Sequence, residues 1–178
     1  MAYFLTSARL AFREMTLGDL DFIAEMVGDP LVMRYYPKVL DRVGAQDWLN
    51  RVLERQARDG HSFWLVADKE TDEPIGQVGL IKQEVDGAME TEIGYMLARR
   101  HWRNGYAHEA ALAVRDYAFG GCAFRERGRQ RVISLVRPAN IPSQRVALSY
   151  GAKPEKLVTW RDYEHLVFAL EKEGDRSS

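Results

Sequence analysis

The order of elements along this chain predicts a mixed α/β domain of the α+β kind, built on a mostly antiparallel sheet. Three β-rich segments follow one another across short turns between residues 62 and 97, which indicates an antiparallel meander. A helical pattern then separates the third segment from another strand-like segment, residues 131–136. Such a β-α-β crossover makes these two strands parallel. The predicted order is βααβββαβαββ.

The first half of the chain predicts one strand and two helices. Alternating apolar and polar residues over 9–15 predict a half-buried strand, after which Thr16 can cap a helix over residues 17–27. A second helix is predicted over residues 44–58, with Trp48 on its apolar, core-facing side. Residues 31–40 between the two helices are predicted to form a loop.

The rest of the chain supplies the sheet and two more helices. The meander strands are predicted over residues 62–68, 74–83 and 89–97, with turns at Asp72–Glu73 and Asp86–Gly87. Helices over 106–119 and 141–150 flank the strand at 131–136, and strands at 157–160 and 165–170 end the fold.

Length and composition describe one ordinary folded domain. The chain has 178 residues, of which 46% are hydrophobic and 11% aromatic, so it can bury one substantial core. We therefore predict a single domain over residues 1–173 and a polar C-terminal tail over residues 174–178.

Charge and cysteine content limit the classes of partner. Twenty-five basic and 26 acidic side chains are too balanced for the electrostatic footprint of nonspecific nucleic-acid binding. The only cysteine, Cys122, cannot form an internal disulfide and stands in an apolar stretch, which predicts a buried, inert thiol. No leader pattern or long apolar run is visible, so the expected location is cytoplasmic, without a membrane partner.

Fold geometry predicts where a ligand binds. Ligands of open α/β sheets bind beyond the carboxyl ends of parallel strands, which places the chemistry just after Leu97 and just after Val136. After Leu97 a short loop opens a helix, whose free amides and dipole attract phosphate. Gly105 lets a ligand approach the backbone, and Arg103 adds a positive charge. A pyrophosphate fits this site, and the absence of GxxxxGK[ST] and GxGxxG disfavours the common nucleotide-binding classes.

The segments EIGYML (92–97) and WRNGYAHEA (102–110) closely resemble the coenzyme A signature of GCN5-related N-acetyltransferases (GNAT), and particularly the RimJ/RimL-like branch. The resemblance extends from RLAFREM (9–15) to NIPSQRVALSYGAK (140–153). The family's phosphate loop, Q/R-x-x-G-x-G/A, falls on Trp102, Arg103, Asn104, Gly105, Tyr106 and Ala107. Trp102 departs from the first position, as is usual in the RimJ/RimL-like branch.

This resemblance implies the acyl-CoA N-acyltransferase fold, in which the two parallel central strands splay and the pantetheine arm of coenzyme A lies in the gap. Main-chain groups of Tyr95, Met96 and Leu97 would then bind pantetheine as an added strand would. The implied reaction transfers acetyl from acetyl-CoA to a primary amine by direct attack in a ternary complex. The branch favours a protein or peptide N-terminal α-amine. His108, where relatives often have a hydroxyl residue, is interpreted either as a phosphate contact or as a solvent-exposed residue.

A proton acceptor is required because an ammonium group has no lone pair. Glu92 is the first candidate, since the family often uses an acidic residue in this strand and Glu92 shares a face with Gly94. Glu90 lies on the same face and is the second candidate. The alternative is that both glutamates are solvated strand residues that balance nearby arginines.

A proton donor for the leaving thiolate is less clear from the sequence. The family's tyrosine, four residues before the glycine that follows the last helix, falls on Ala147. Ser143 and Tyr150 are the remaining hydroxyl candidates. The resemblance to RimL-type relatives favours Ser143 as a catalytic and cofactor-contacting residue, and Tyr150 is interpreted as a packing residue. Asn140 can cap the last helix or contact the cofactor. The missing tyrosine leaves a second function open, a noncatalytic acyl-CoA-binding sensor or scaffold.

The resemblance places the early loop beside the acceptor, so Arg34, Tyr35 and Tyr36 are the predicted substrate-binding residues. No metal is predicted, because His61, His101, His108 and His165 have no zinc-ligand spacing. The resemblance also suggests a homodimer.

Overall fold

The computed structural model describes residues 2–120 and 129–173. Cys122 and the predicted tail at 174–178 therefore lie outside the described residues. Within the described part, one eight-stranded sheet carries four α-helices. The strand order across the sheet is β1-β2-β3-β4-β5-β6-β8-β7. The strands are β1 (Leu5–Thr6), β2 (Leu10–Glu14), β3 (Phe63–Asp68), β4 (Pro74–Val85), β5 (Ala88–Leu97), β6 (Arg131–Val136), β7 (Lys153–Trp160) and β8 (Tyr163–Glu171).

The helices are α1 (Leu20–Val27), α2 (Arg42–Asp59), α3 (Tyr106–Gly120) and α4 (Ile141–Ser149). Two short 3₁₀ turns, Leu17–Asp19 and Arg99–His101, precede α1 and follow β5.

Most predicted elements are present, with shifted ends. The predicted helix over 17–27 divides into a 3₁₀ turn and α1, and Thr16 forms a capping box with Asp19. Helix α2 begins two residues before the predicted start because the Asp41 carboxylate accepts a hydrogen bond from the Gly44 amide. Strand β7 begins four residues earlier than predicted, and β1 was not predicted because two residues carry no periodicity.

The central strands confirm the predicted mixed topology. β4 and β5 pair antiparallel along their full length, from Gly76 opposite Leu97 to Val85 opposite Ala88. β5 and β6 are parallel and are in register at one pair, Glu92 with Ile133. No pair of β5 and β6 residues follows this one, so the edge of β5 that faces β6 has no paired strand toward its carboxyl end. The gap between the strands opens there.

β5 also separates two hydrophobic clusters because its side chains alternate between the faces of the sheet. Ile93 and Leu97 belong to the cluster beneath α3 and α4, which also includes Val114 and Tyr150. Met96, on the opposite face, packs in the cluster beneath α1 and α2. The gap after Glu92 therefore connects the α3/α4 side of the sheet with the α1/α2 side.

Candidate functional site

The loop after β5 ends in a run of unpaired backbone amides. Within residues 2–120 and 129–173, no protein acceptor bonds the amide N–H groups of residues 103–108, and the first bond of α3 runs from the Glu109 amide to the Gly105 carbonyl at 3.1 Å. Arg103 and Gly105 have left-handed φ angles of 63° and 77°, which turn the chain tightly into the helix. Free amides at a helix start form an anion-binding site.

Arg9 of the neighbouring β2 segment holds this loop in place. Its Nε lies 2.7 Å from Glu109 Oε2, and its Nη1 donates to the Asn104 carbonyl at 3.0 Å. Its guanidinium also covers the Tyr106 ring, 4.5 Å from the centroid. Arg9, the residue before β2, therefore fixes the loop and the first turn of α3. The sequence did not predict this role.

Trp102 closes the base of the loop. Its indole N–H donates to the Leu97 carbonyl at 2.9 Å, so the tryptophan at the first motif position ties the loop to the end of β5. Arg103 is exposed, and among the described residues it has no carboxylate partner within salt-bridge distance. Its charge is available to a ligand.

His108 has a role that the sequence did not predict. The imidazole is exposed, and its Nδ1 lies 2.6 Å from Ser149 Oγ on α4. This contact joins the start of α3 to the end of α4.

Four hydroxyl side chains meet on the α3/α4 side of the gap. Ser134 Oγ donates to the Ile93 carbonyl at 2.6 Å, and the buried Tyr150 hydroxyl lies 2.9 Å from the same Oγ. Because the single serine proton goes to Ile93, the Tyr150 hydroxyl is the donor in the second bond. The Tyr95 hydroxyl donates to the Ser143 backbone carbonyl at 2.7 Å.

We call Tyr95, Ser134, Ser143 and Tyr150 the hydroxyl cluster. Burial raises the pKa of Tyr95 to about 12 and raises the pKa of Tyr150 further, so both phenols keep their protons at neutral pH. Ser134 was missed in the sequence, although it is a polar residue between the buried positions Val132 and Val136 of an apolar strand. Tyr150 packs as predicted, but its hydroxyl also belongs to this polar cluster.

Asn140 caps α4. Its side-chain oxygen accepts a hydrogen bond from the Ser143 amide at 3.2 Å, so the predicted capping role is present, and the compatible contact with the cofactor stays a prediction. The cap fixes the first turn of α4 and places Ser143 beside Tyr95.

Glu92 is a half-buried carboxylate with no ion-pair partner among the described residues. Gln83 Nε2 donates to its Oε2 at 3.0 Å, and the Leu135 backbone amide is oriented to lower the pKa of the carboxyl. Burial raises the pKa of Glu92, and these two groups offset part of that rise. Glu90 instead has its carboxylate 3.2 Å from Arg131 Nε. The structure therefore gives the two glutamates different environments.

The predicted substrate loop carries Tyr36, which is 38% exposed. Desolvation of the phenol and then the negative charge of Glu92 raise the pKa of Tyr36. The Tyr36 ring packs edge-on against Trp48 at 5.9 Å, and Trp48 is half-buried. The exposed Arg34 guanidinium lies 5.5 Å from the Tyr35 ring.

Residues 9–153 match the family model of the acetyltransferase (GNAT) domain. The chain belongs to the GNAT acetyltransferase family. A Bacillus subtilis protein, uncharacterized protein YkkB, is 39% identical to this GNAT chain over 133 residues, which cover 75% of this chain and 74% of that protein. An uncharacterized N-acetyltransferase, p20 of Bacillus licheniformis, is 34% identical over 164 residues, covering 90% of this chain and 86% of p20.

Solved structures show the same GNAT fold. An acetyltransferase from Agrobacterium tumefaciens matches with a TM-score of 0.80 and 27% identity, covering 97% of this chain and 95% of that one. A putative ribosomal-protein-serine acetyltransferase from Vibrio cholerae has the same fold, with a TM-score of 0.76 and 19% identity, covering 94% of this chain and 97% of that one. The predicted fold, family and acetyltransferase class, with acetyl-CoA as the acyl donor, are confirmed.

The described residues of the GNAT domain offer neither a metal site nor a membrane-spanning helix. In the described part of the chain, no group of three or more His, Cys, Asp or Glu side chains is arranged to hold a metal ion. None of the described helices combines the length and the apolar character that crossing a membrane requires.

Proposed function

We propose that this protein transfers an acetyl group from acetyl-CoA to a primary amine by direct attack in a ternary complex. The observation that carries the proposal is the run of free amides at residues 103–108 beside the gap between β5 and β6. Glu92 reaches this gap at the point where the strands part, and the hydroxyl cluster lines its α3/α4 side.

The donor side is built to hold a diphosphate and an extended arm. The amides of residues 103–108, with the Arg103 guanidinium, bind the diphosphate of coenzyme A, and the small residues Gly105 and Ala107 allow close approach. Backbone groups of Tyr95, Met96 and Leu97 on the free edge of β5 pair with the pantetheine arm. The Leu97 carbonyl is already bonded to Trp102, so only its other groups are available.

Bound acetyl-CoA supplies an acetyl group activated as a thioester. Glu92 accepts a proton from the ammonium form of the acceptor, directly or through water, because its raised pKa lies closer to working pH than that of an exposed glutamate. On the other side of the gap, Ser143 is the proposed donor of a proton to the sulfur. Tyr150 and Tyr95 are protonated hydroxyls close to that position.

A peptide N-terminal α-amine is the proposed acceptor, with Arg34, Tyr35 and Tyr36 forming the entrance. The name of the Vibrio cholerae neighbour, a putative ribosomal-protein-serine acetyltransferase, supports this choice by analogy. Assembly as a homodimer is part of the same proposal.

The test is an assay of the purified protein with acetyl-CoA and a panel of peptides and small amines, following thiol release and product mass. Amine-dependent thiol release with an acetylated product is expected. A noncatalytic acyl-CoA sensor is the alternative, because buried Ala147 stands where the family has its tyrosine. Such a sensor binds acetyl-CoA, releases no thiol with any amine, and is unaffected in binding by Glu92→Gln.

A further inference from the structure

The Ile93 carbonyl faces the gap between β5 and β6. Ile93 is opposite Leu80 in the antiparallel pair of β4 and β5. The Leu80 N–H donates to the Ser62 carbonyl at 3.2 Å, so the main-chain groups of Leu80 are turned away from β5. Opposite residues of an antiparallel pair either exchange both of their hydrogen bonds or turn both sets of groups away from each other. The N–H and carbonyl of Ile93 are therefore turned toward β6.

Ser134 bonds to this carbonyl from β6. Its Oγ donates to the Ile93 carbonyl at 2.6 Å, and both residues are buried. The last pair between the two strands, Glu92 with Ile133, stands one residue earlier on each strand. The Ser134 side chain therefore crosses from β6 to β5 at the point where the pairing of the strands stops. This contact marks the closed end of the gap.

Tyr150 holds the Ser134 side chain in this position. Its hydroxyl lies 2.9 Å from Ser134 Oγ and donates to it, because the serine proton is directed to Ile93. Tyr150 is fully buried in the cluster beneath α3 and α4, and Phe168, directly opposite Ser134 on β8, is buried in the same cluster. Movement of either hydroxyl would break a buried hydrogen bond and disturb packed rings.

Helix α4 follows the gap from its open end to its closed end. At the start of the helix, the Ser143 carbonyl accepts a hydrogen bond from the Tyr95 hydroxyl at 2.7 Å. Directly after the helix, Tyr150 contacts Ser134 at the closed end. The amides of residues 103–108 follow the carboxyl end of β5, so the coenzyme arm proposed above enters at the open end. Its acyl group is the part that reaches the closed end.

We propose that Ser134 and Tyr150 form the end wall of the acyl site and limit the donor to a two-carbon acyl group. The inference rests on the proposed function, because it takes the path of the coenzyme arm from that proposal. An acetyl group ends in a single methyl. The further methylenes of a propionyl or butyryl group would have to displace the Ser134 hydroxyl, which both donates and accepts a buried hydrogen bond. The end wall therefore selects the length of the acyl chain.

The first test compares acyl donors on the wild-type protein. Initial rates are measured with acetyl-CoA, propionyl-CoA and butyryl-CoA, at a saturating concentration of an amine that the acetylation panel identifies. We expect kcat/KM to fall roughly 10- to 200-fold with propionyl-CoA, the usual effect of one methylene, and to fall further with butyryl-CoA. Equal rates with the three donors overturn the inference while acyl transfer itself stands.

Two substitutions open the end wall. Tyr150→Leu removes the hydroxyl and keeps an apolar side chain in the cluster, and Ser134→Gly removes the side chain that crosses the gap. Each should raise the kcat/KM ratio of propionyl-CoA to acetyl-CoA about tenfold. Phe12→Leu is the matched control and should keep the wild-type ratio, since Phe12 is equally buried in the same cluster but lies on β2, three strands from β5. If kcat falls equally for every donor and neither substitution changes the ratio, the two hydroxyls act in catalysis and the end wall is overturned.

Calorimetry gives a second measurement that needs neither an acceptor nor a variant that folds. The wild-type protein should bind acetyl-CoA about tenfold more tightly than butyryl-CoA, and Tyr150→Leu should remove most of this difference. Equal affinity of the wild-type protein for the two donors overturns the end wall. Failure to bind coenzyme A at all is a different outcome, which contradicts the proposed function itself.

Discussion

The Gln83 carboxamide on β4 donates a 3.0 Å hydrogen bond to the Glu92 carboxylate on β5. This neutral donor stabilises the charged form of a glutamate whose pKa burial raises. No described arginine or lysine forms a salt bridge with Glu92, whereas Glu90 contacts Arg131. A general base must lack a strong ion-pair partner, because an ion pair lowers the pKa of the carboxyl and makes the carboxylate too weakly basic to take a proton.

Glu92→Gln should lower kcat by roughly 10²- to 10⁴-fold, the usual contribution of a general base, and leave the Kd for coenzyme A unchanged. Steady-state rates and calorimetry measure the two effects. Glu90→Gln is the matched control, and it should retain kcat while weakening the contact with Arg131. A larger kcat loss in Glu90→Gln than in Glu92→Gln would reverse the assignment of the base.

The pH dependence of kcat/KM should report Glu92. Because its pKa is raised, the rate should increase with pH along a limb that lies above the range of an exposed glutamate. Gln83→Leu removes a hydrogen bond that lowers this pKa, so the limb should move to still higher pH. If the limb of Gln83→Leu stays in place or moves to lower pH, the assignment of the limb to Glu92 is contradicted.

The charged form of Glu92 should lower the stability of the folded protein, because burial disfavours the charge. A carboxyl whose pKa is higher in the folded than in the unfolded state destabilises the fold as pH rises through the interval between the two pKa values, and the loss is complete above the folded pKa. Glu92→Gln removes the charge while its amide oxygen can still accept from Gln83. Its Tm at neutral pH should therefore equal or exceed that of the wild type. The excess should vanish in acid, where Glu92 is protonated.

Gly105→Asp should abolish measurable coenzyme A binding, because it places a carboxylate among the amides proposed to bind the diphosphate. The added Cβ meets Arg9 Nη2 at an ordinary 3.5 Å, so the chain can fold. Gly87→Asp is a close control: Gly87 also has a φ of 77°, and its added Cβ meets nothing within 4 Å. Both variants should lose about 1 kcal/mol of stability from the left-handed backbone. Similar coenzyme A affinities in the two variants would contradict the amide site.

Ser143→Ala isolates one hydroxyl without disturbing the fold. The Tyr95 hydroxyl bonds to the Ser143 backbone carbonyl and the Asn140 cap bonds to the Ser143 amide, so both contacts survive the substitution. We expect Tm to be unchanged and kcat to fall about tenfold or more if Ser143 protonates the thiolate. Tyr150→Phe is the comparison, and a larger kcat loss there would transfer the role to Tyr150.

The features that the sequence predicted are local. The strand β5, the loop over residues 98–105 and the start of α3 are contiguous, and each is determined by hydrophobic periodicity or by the φ freedom of Gly105. Periodicity also gave the parallel crossover, because a helix between two strands of one sheet fixes their direction. Element ends were less accurate, since caps such as Asp41 decide them through single hydrogen bonds.

The features that only the tertiary structure decided join distant parts of the chain. Ser134 meets Tyr150 and the Ile93 carbonyl, and Arg9 contacts Glu109, 100 residues away in sequence. The parallel pairing of β5 with β6 and the packing of α3 and α4 on the sheet bring these groups together. The sequence by itself determined the fold and the conformation of the proposed phosphate-binding loop, because local backbone preferences specify both. The tertiary structure decided the surroundings of Glu92, because burial and electrostatic contact depend on distances between segments that no local pattern encodes.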